Sequence, residues 1–174
     1  MAANDPFTAQ VSLPSDSEVR VTRSFRAPRA LVWRAHTEPE LAKRWLAGYP
    51  GWTMTVCEMD VRLGGRYRWR WRADESGMEF GFFGAFSVVD EPETLAHDQY
   101  YDAGTFVGEG TLPSETPTRI RMRLTEEGGV TTLVQVMDFG SMTARDEAIA
   151  TGMTDGMEVN YQLLQSIMTA ALEA

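Results

Sequence analysis

Residues 66–72 read RYRWRWR, so arginine alternates strictly with an aromatic residue. Successive side chains of a β-strand point to opposite faces of its sheet, which places Tyr67, Trp69 and Trp71 on one face and only arginines on the other. One apolar and one charged face are typical of an antiparallel sheet that covers a core on one side and meets solvent on the other. The run therefore predicts a half-buried strand.

Six further segments with strand character flank this run. They are residues 18–25, 52–60, 79–90, 94–102, 118–127 and 130–140. Turn residues such as Gly64-Gly65 and Gly128-Gly129 separate several of them, as in an antiparallel meander. Two short helices fit after the first strand, the second opening at Thr37-Glu38-Pro39, and residues 103–117 have the Gly, Thr and Pro content of a loop.

The last segment, residues 143–174, contains no proline and predicts one long helix. A stripe of apolar residues at spacings of three and four runs along it: Ile149, Met153, Met157, Tyr161, Leu164 and Met168. Gly152 and Gly156 lie beside the stripe. Each glycine costs a helix about 1 kcal/mol relative to alanine, so the pair predicts a bend, a close approach of another backbone, or open space.

Composition excludes several classes of function. The chain has a net charge of −9, one cysteine (Cys57) and two histidines, so it lacks the residues for a disulfide framework or a multi-thiolate metal site. We expect no metal and no cofactor. The negative charge opposes binding to nucleic acid, and no apolar run is long enough to insert into a membrane.

The N-terminal region predicts the domain organisation. Residues 1–17 are rich in Ser, Asp and Pro and predict a flexible extension, followed by a single domain over residues 18–174. These first residues also lack the basic start and apolar core of a secretory signal, so we expect a cytoplasmic protein.

The order of elements is a strand, two short helices, an antiparallel sheet of about six to seven strands in total, and a long C-terminal helix. This is the order of the α+β helix-grip fold, in which a curved sheet wraps around the last helix. Five phrases carry a family resemblance: RSFRAPRALVWRAHTEPELAKRWL, EMDVRLGGRYRWRW, FGFFGAFSVVDEPETL, GGVTTLVQV and ATGMTDGMEVNYQLL. In this order they resemble the START-like (SRPBCC, Bet v-like) superfamily, specifically the branch named for the activator of the heat-shock-protein-90 ATPase.

The resemblance implies a hydrophobic cavity between the sheet and the last helix. We expect a small hydrophobic or amphipathic molecule, such as a lipid, to bind there without covalent chemistry. The candidate binding residues are Trp45, Tyr67, Trp69, Trp71, Phe82, Phe86, His97, Tyr101, Met153, Met157 and Tyr161. Rings and thioethers suit a bulky apolar guest, although the same residues at the same spacing also describe a filled core.

Two other functions stay open. In a polyketide cyclase or aromatase, one or two polar groups such as His97, Tyr101 or Tyr161 would promote ring closure by proton transfer. No arrangement of residues in the sequence identifies a catalytic residue, so we expect a binding protein rather than an enzyme.

The third function is protein interaction, with a chaperone ATPase as the partner that the resemblance implies. Five arginines lie between Arg62 and Arg72 with no acidic residue among them, and Arg68 and Arg70 are the candidate contacts. The simpler interpretation is a solvated face whose arginines pair with acidic residues of neighbouring strands. A homodimer is compatible with the sequence, but no pattern specifies its interface.

Overall fold

A computed structural model describes residues 5–46, 50–104 and 116–174. Eight strands lie within this part of the chain: β1 (Gln10–Ser12), β2 (Glu18–Phe25), β3 (Trp52–Met59), β4 (Arg66–Ala73), β5 (Glu79–Asp90), β6 (Thr94–Asp102), β7 (Thr118–Glu127) and β8 (Val130–Asp138). Four helices accompany them there: α1 (Arg29–Thr37), α2 (Pro39–Trp45), α3 (Met142–Ala150) and α4 (Met153–Glu173). The predicted α+β helix-grip fold is confirmed. Most of the predicted loop over residues 103–117 falls outside the described residues.

All eight strands form one antiparallel sheet in the order β1-β2-β8-β7-β6-β5-β4-β3. The predicted count of six to seven strands is low by one, because residues 10–12 pair with β2. The sequence predicts a flexible extension there, since three paired residues give no readable alternation. At the opposite edge, β3 carries an irregularity between Met54 and Val56 where its register with β4 shifts.

The two faces of the sheet differ as the alternation in β4 predicts. Tyr67 and Trp71 are buried on the inward face, whereas Arg66, Arg68 and Arg72 are exposed on the outward face. Leucine, valine and methionine from β2, β7 and β8 continue the inward face and form the core with α4. Helix α2 packs against α4 and β3, and α1 packs against β7 and β8.

The C-terminal segment is two helices, so the prediction of one helix over residues 143–174 is wrong. Gly152 interrupts it with φ 80°, a left-handed conformation that residues with a Cβ rarely adopt. A hydroxyl cap begins α3, since Ser141 accepts a hydrogen bond from the Ala144 N–H at 3.2 Å. The predicted stripe nevertheless faces the core, with Tyr161 and Met168 fully buried.

An arginine lies on the inward face of β2. Arg23 is 3% exposed, and its Nε donates to Glu158 Oε2 of α4 at 3.1 Å. The same carboxylate oxygen accepts a hydrogen bond from the Ala9 N–H at 2.8 Å, and the guanidinium lies 4.7 Å from the centre of the Phe25 ring. This ion pair therefore joins β2, α4 and the N-terminal segment at one point.

Removing one partner of this ion pair should be strongly destabilising. Glu158→Gln leaves the Arg23 charge buried without a counter-charge, so we expect the free energy of unfolding to fall by about 2–4 kcal/mol. Urea denaturation at pH 7 measures it. The matched control is Glu38→Gln, which removes the exposed pair between Arg34 and Glu38 and should cost much less, because solvent screens that pair. Equal losses in the two variants would contradict the structural role of the buried pair.

Candidate ligand-binding site

The inward face of β4, β5 and β6 brings together seven of the predicted site residues. The pairing register sets Trp69 opposite Phe82, Phe82 opposite Tyr101, and Phe86 opposite His97. Glycine makes room in this region, since a Cβ on Gly84 would collide with the carbonyl oxygen of Asp98 and press on the Tyr67 ring. The result is a continuous layer of aromatic rings beneath the helices.

His97 lies at the centre of one group of rings. Its imidazole is 5.0 Å from the Tyr67 ring, 5.9 Å from Phe86 and 6.2 Å from Trp69, measured between ring centres. Both imidazole nitrogens are buried and have no hydrogen-bond partner among the described residues. Burial lowers the pKa of His97 to about 4, so the ring is neutral at pH 7.

The neighbouring aromatic residues differ in whether their polar atoms have a hydrogen-bond partner. The Tyr67 hydroxyl donates to the Asp98 carbonyl at 3.1 Å, and the Trp71 Nε1–H donates to the Leu46 carbonyl at 2.7 Å. The Trp69 Nε1–H is buried and has no partner within the described residues. Tyr67 and Trp71 are therefore held by the fold, whereas Trp69 has an unused donor.

A second group of rings lies further along the same face. Trp71 stacks on Phe80 with 5.2 Å between ring centres, and Phe82 contacts both of these rings. Tyr101 lies 5.6 Å from Phe82, and burial raises the pKa of its hydroxyl. This group extends the aromatic wall beyond His97 without adding a charge.

Trp45 and Tyr161 belong to the packed core between α2 and α4. Both are buried, and their rings stack 6.0 Å apart. The Trp45 Nε1–H donates to the Ala35 carbonyl at 2.8 Å, and the Tyr161 ring meets Phe25 edge-on at 5.6 Å. Their ring contacts place them in the filled core, which is the alternative that the sequence leaves open.

The start of α4 supplies the methionines. Met153 and Met157 lie on its core side but are only half-buried, and both pack against the edge of the core. They have the position that the stripe predicts. The predicted site thus divides into a packed part, around Trp45 and Tyr161, and a more open part, which contains Trp69, Phe82, Tyr101 and the two methionines.

The groups of the cyclase alternative are spread out. His97 and Tyr101 are four residues apart on β6, which separates their backbones by about 13 Å. Tyr161 of α4 packs with Trp45 of α2. The candidate groups of the cyclase alternative therefore do not converge on one point within the described residues.

Cys57 donates to the Pro39 carbonyl at 3.7 Å, and burial raises its pKa to about 11, so it is a protonated thiol at neutral pH. No cluster of metal-ligating side chains occurs in the described ranges.

The outward face of the sheet carries the arginines of β4. Arg70 lies 3.4 Å from Glu79 and 3.9 Å from Asp102, so the predicted pairing with neighbouring strands is found there. Arg66 and Arg68 are exposed and form no ion pair with any residue that the structure describes. Pairing with acidic residues of neighbouring strands, the simpler interpretation of the arginines, therefore accounts for Arg70 only.

The arginines border an aromatic pair that the sequence analysis missed. Phe83, 37% exposed, stacks on Tyr100 with 5.4 Å between ring centres. A surface depression of about 420 Å³ lies here, lined in part by Arg66, Arg68 and Phe83. Strand alternation was enough to predict this pair, because Phe83 and Tyr100 each follow or precede an inward-facing aromatic residue and must therefore point outward.

Stability should fall as the pH drops below neutral because two histidines are buried in the neutral form. Burial lowers the pKa of His36 to about 4, as for His97, whereas an unfolded histidine has a pKa near 6.5. Between pH 6.5 and 4 the unfolded chain binds protons that the folded chain does not. Stability that is present above pH 6.5 is therefore lost toward pH 4.

His97→Phe isolates one of these contributions. We expect the fall in unfolding free energy between pH 7 and pH 5 to be about 1–2 kcal/mol smaller in this variant than in the unaltered protein. Urea denaturation at both pH values measures the difference. An identical fall in the two proteins would contradict the burial of a neutral His97.

None of the helices within residues 5–46, 50–104 and 116–174 is long and apolar enough to cross a membrane.

Comparisons with solved structures agree with the fold. A protein from Rhodobacter sphaeroides superposes with a TM-score of 0.80 at 27% identity, covering 93% of this chain and 98% of its own. A protein from Mycobacterium smegmatis gives a TM-score of 0.78 at 21% identity, covering 94% of this chain and 99% of its own. An AHSA1-like protein from Aeromonas hydrophila gives 0.63 at 19% identity, with coverages of 85% and 93%.

A comparison with functionally curated proteins gave no significant match. The sequence profile of one family, however, matches residues 26–169, from the end of β2 to near the end of α4. Since this match spans most of the chain, and the helix-grip fold agrees with it, the chain belongs to the family of Activator of Hsp90 ATPase homolog 1-like proteins.

Proposed function

We propose that the protein binds a small hydrophobic or amphipathic molecule between the inward face of β4–β6 and the start of α4, without covalent chemistry. A lipid is one member of this class. A cytoplasmic location is part of the same proposal. Support comes from the family, from the aromatic lining and from the open part of the predicted site.

The observation that carries the proposal is the partial exposure of side chains on the inward face. Trp69, Phe82 and Tyr101 lie on the inward face, yet each keeps part of its surface accessible, as do Met153 and Met157 at the start of α4. Protein interiors are normally packed too closely to leave such surface. Accessible surface on inward-facing residues therefore favours space that a guest can fill.

The chemistry of the lining suits that guest. Indole and phenyl rings offer flat apolar surface, and methionine side chains adapt to different shapes through their flexible thioethers. Arg23 of the inward face already pairs with Glu158 of α4 on the β2 side of the sheet. Binding energy would therefore come mainly from apolar contact.

Filling the space should abolish binding of an apolar probe. We expect N-phenyl-1-naphthylamine to bind the unaltered protein with enhanced fluorescence, and Met157→Trp to weaken this at least tenfold because the larger ring occupies the site. Leu163→Trp is the matched control, since Leu163 is an exposed residue of the same helix. It should leave probe binding unchanged.

Native mass spectrometry of protein purified from its own host provides the second measurement. A copurifying small molecule that Met157→Trp excludes would agree with the proposal. A protein with neither a copurifying molecule nor probe binding would contradict it.

The outward face supports a second candidate function, stimulation of a chaperone ATPase. The family name supplies the partner. Arg66 and Arg68 are exposed beside the Phe83–Tyr100 pair and form no ion pair with a described residue. Arg70, a candidate contact from the sequence, is less suitable because it is already paired with Glu79. Exposed guanidinium groups beside stacked rings suit an acidic protein surface.

Charge reversal tests this second function. Arg66→Glu with Arg68→Glu should reduce stimulation of purified Hsp90 ATPase at least tenfold, while the melting temperature changes little because both residues are exposed. Arg121→Glu with Arg123→Glu is the matched control, on β7 of the same outward face. Absence of stimulation by the unaltered protein, or equal effects of both double variants, would remove the support for this function.

A further inference from the structure

Two neighbouring side chains of the inward face have buried hydrogen-bonding atoms without partners. They are the Trp69 Nε1–H and both nitrogens of His97, unpaired among the described residues, and the two rings are 6.2 Å apart. Polar atoms of comparable residues nearby, in Tyr67 and Trp71, have backbone partners. Buried polar atoms are nearly always hydrogen-bonded, and leaving one unpaired is costly. None of the described residues supplies the missing partner, so we look for it in a bound molecule.

The unused atoms define what that partner must offer. An indole N–H only donates, so it requires an acceptor, whereas a neutral imidazole has one donor and one acceptor nitrogen. His97 is neutral at pH 7 because burial lowers its pKa to about 4. A hydroxyl group pairs with two of these three groups, since it accepts from the indole N–H and donates to the acceptor nitrogen of the imidazole.

The surroundings indicate that the molecule is uncharged and aromatic. Ring surfaces of Tyr67 and Phe86 contact His97, and Phe82 pairs with Trp69 across the strands. On the inward face, Arg23 and Glu158 neutralise each other, so a ligand carboxylate beside His97 would lack a counter-charge. Burying an unpaired charge is strongly unfavourable.

We propose that the ligand is a neutral phenolic molecule whose hydroxyl accepts a hydrogen bond from Trp69 Nε1–H and donates one to His97. This inference rests on the proposed binding function and specifies the chemical class of its ligand. The aromatic part of the ligand lies against the rings of β4–β6, and the hydroxyl fixes its orientation.

Two probes of equal shape test the inference. Equilibrium dialysis at pH 7 gives dissociation constants for 2-naphthol and for 2-methylnaphthalene, in which a methyl group replaces the hydroxyl. We expect the unaltered protein to bind 2-naphthol about tenfold or more tightly than 2-methylnaphthalene, because only the hydroxyl can pair with the indole N–H and with the acceptor nitrogen of His97. Trp69→Phe and His97→Phe should each reduce this preference severalfold.

Trp33→Phe is the matched control. Trp33 is buried in the core on α1, outside the candidate site, so the change should lower the urea midpoint and leave the preference for 2-naphthol unchanged. Trp69→Phe removes an unpaired donor and should leave the midpoint close to that of the unaltered protein. This contrast separates lost recognition from lost folding.

The outcomes distinguish the inference from the function on which it rests. Equal binding of both probes would overturn the inference and leave the proposed function standing. A preference for 2-naphthol that survives in both Trp69→Phe and His97→Phe would also overturn it. Failure of both probes to bind would contradict the proposed function and the inference together.

Discussion

The buried ion pair between Arg23 and Glu158 determines how the last helix lies on the sheet. A guanidinium on the inward face must be matched by a carboxylate, because an unpaired charge cannot remain there at acceptable cost. Glu158 is therefore held over β2, and the rest of α4 follows from its geometry. Tyr161 and Met168 reach the core, while Met153 and Met157 are only half-buried at its edge. Apolar packing alone would specify the position of the helix less strictly.

Local pattern was sufficient to predict most of the architecture. Strict alternation in residues 66–72 identified β4 and both of its faces, and the pairing register places the candidate residues Phe82, Phe86 and His97 on the same inward face. These inferences succeeded because the period of a strand is a property of the backbone, which short sequence segments report directly. The family resemblance then supplied the arrangement of the elements around the last helix.

Features that depend on distant residues could not be predicted in this way. Arg23 has the parity of an inward residue, but its partner Glu158 lies 135 positions away, so the sequence does not reveal the ion pair. Gly152 was recognised as unfavourable within a helix, yet only its left-handed conformation shows that the helix ends there. The division of the candidate site into a packed and a more open part also depends on tertiary contacts. Trp45 and Tyr161 pack together because α2 packs against α4.

The two edge strands of the sheet limit self-association by strand addition. An open sheet exposes unpaired backbone groups at both edges, which invites strand addition by another copy. Here one edge is β1, only three residues long, and the other is β3, whose register is disrupted between Met54 and Val56. Short and irregular edges are poor templates for a further strand. The molecule can thus present a wide sheet at high concentration while resisting edge-to-edge aggregation.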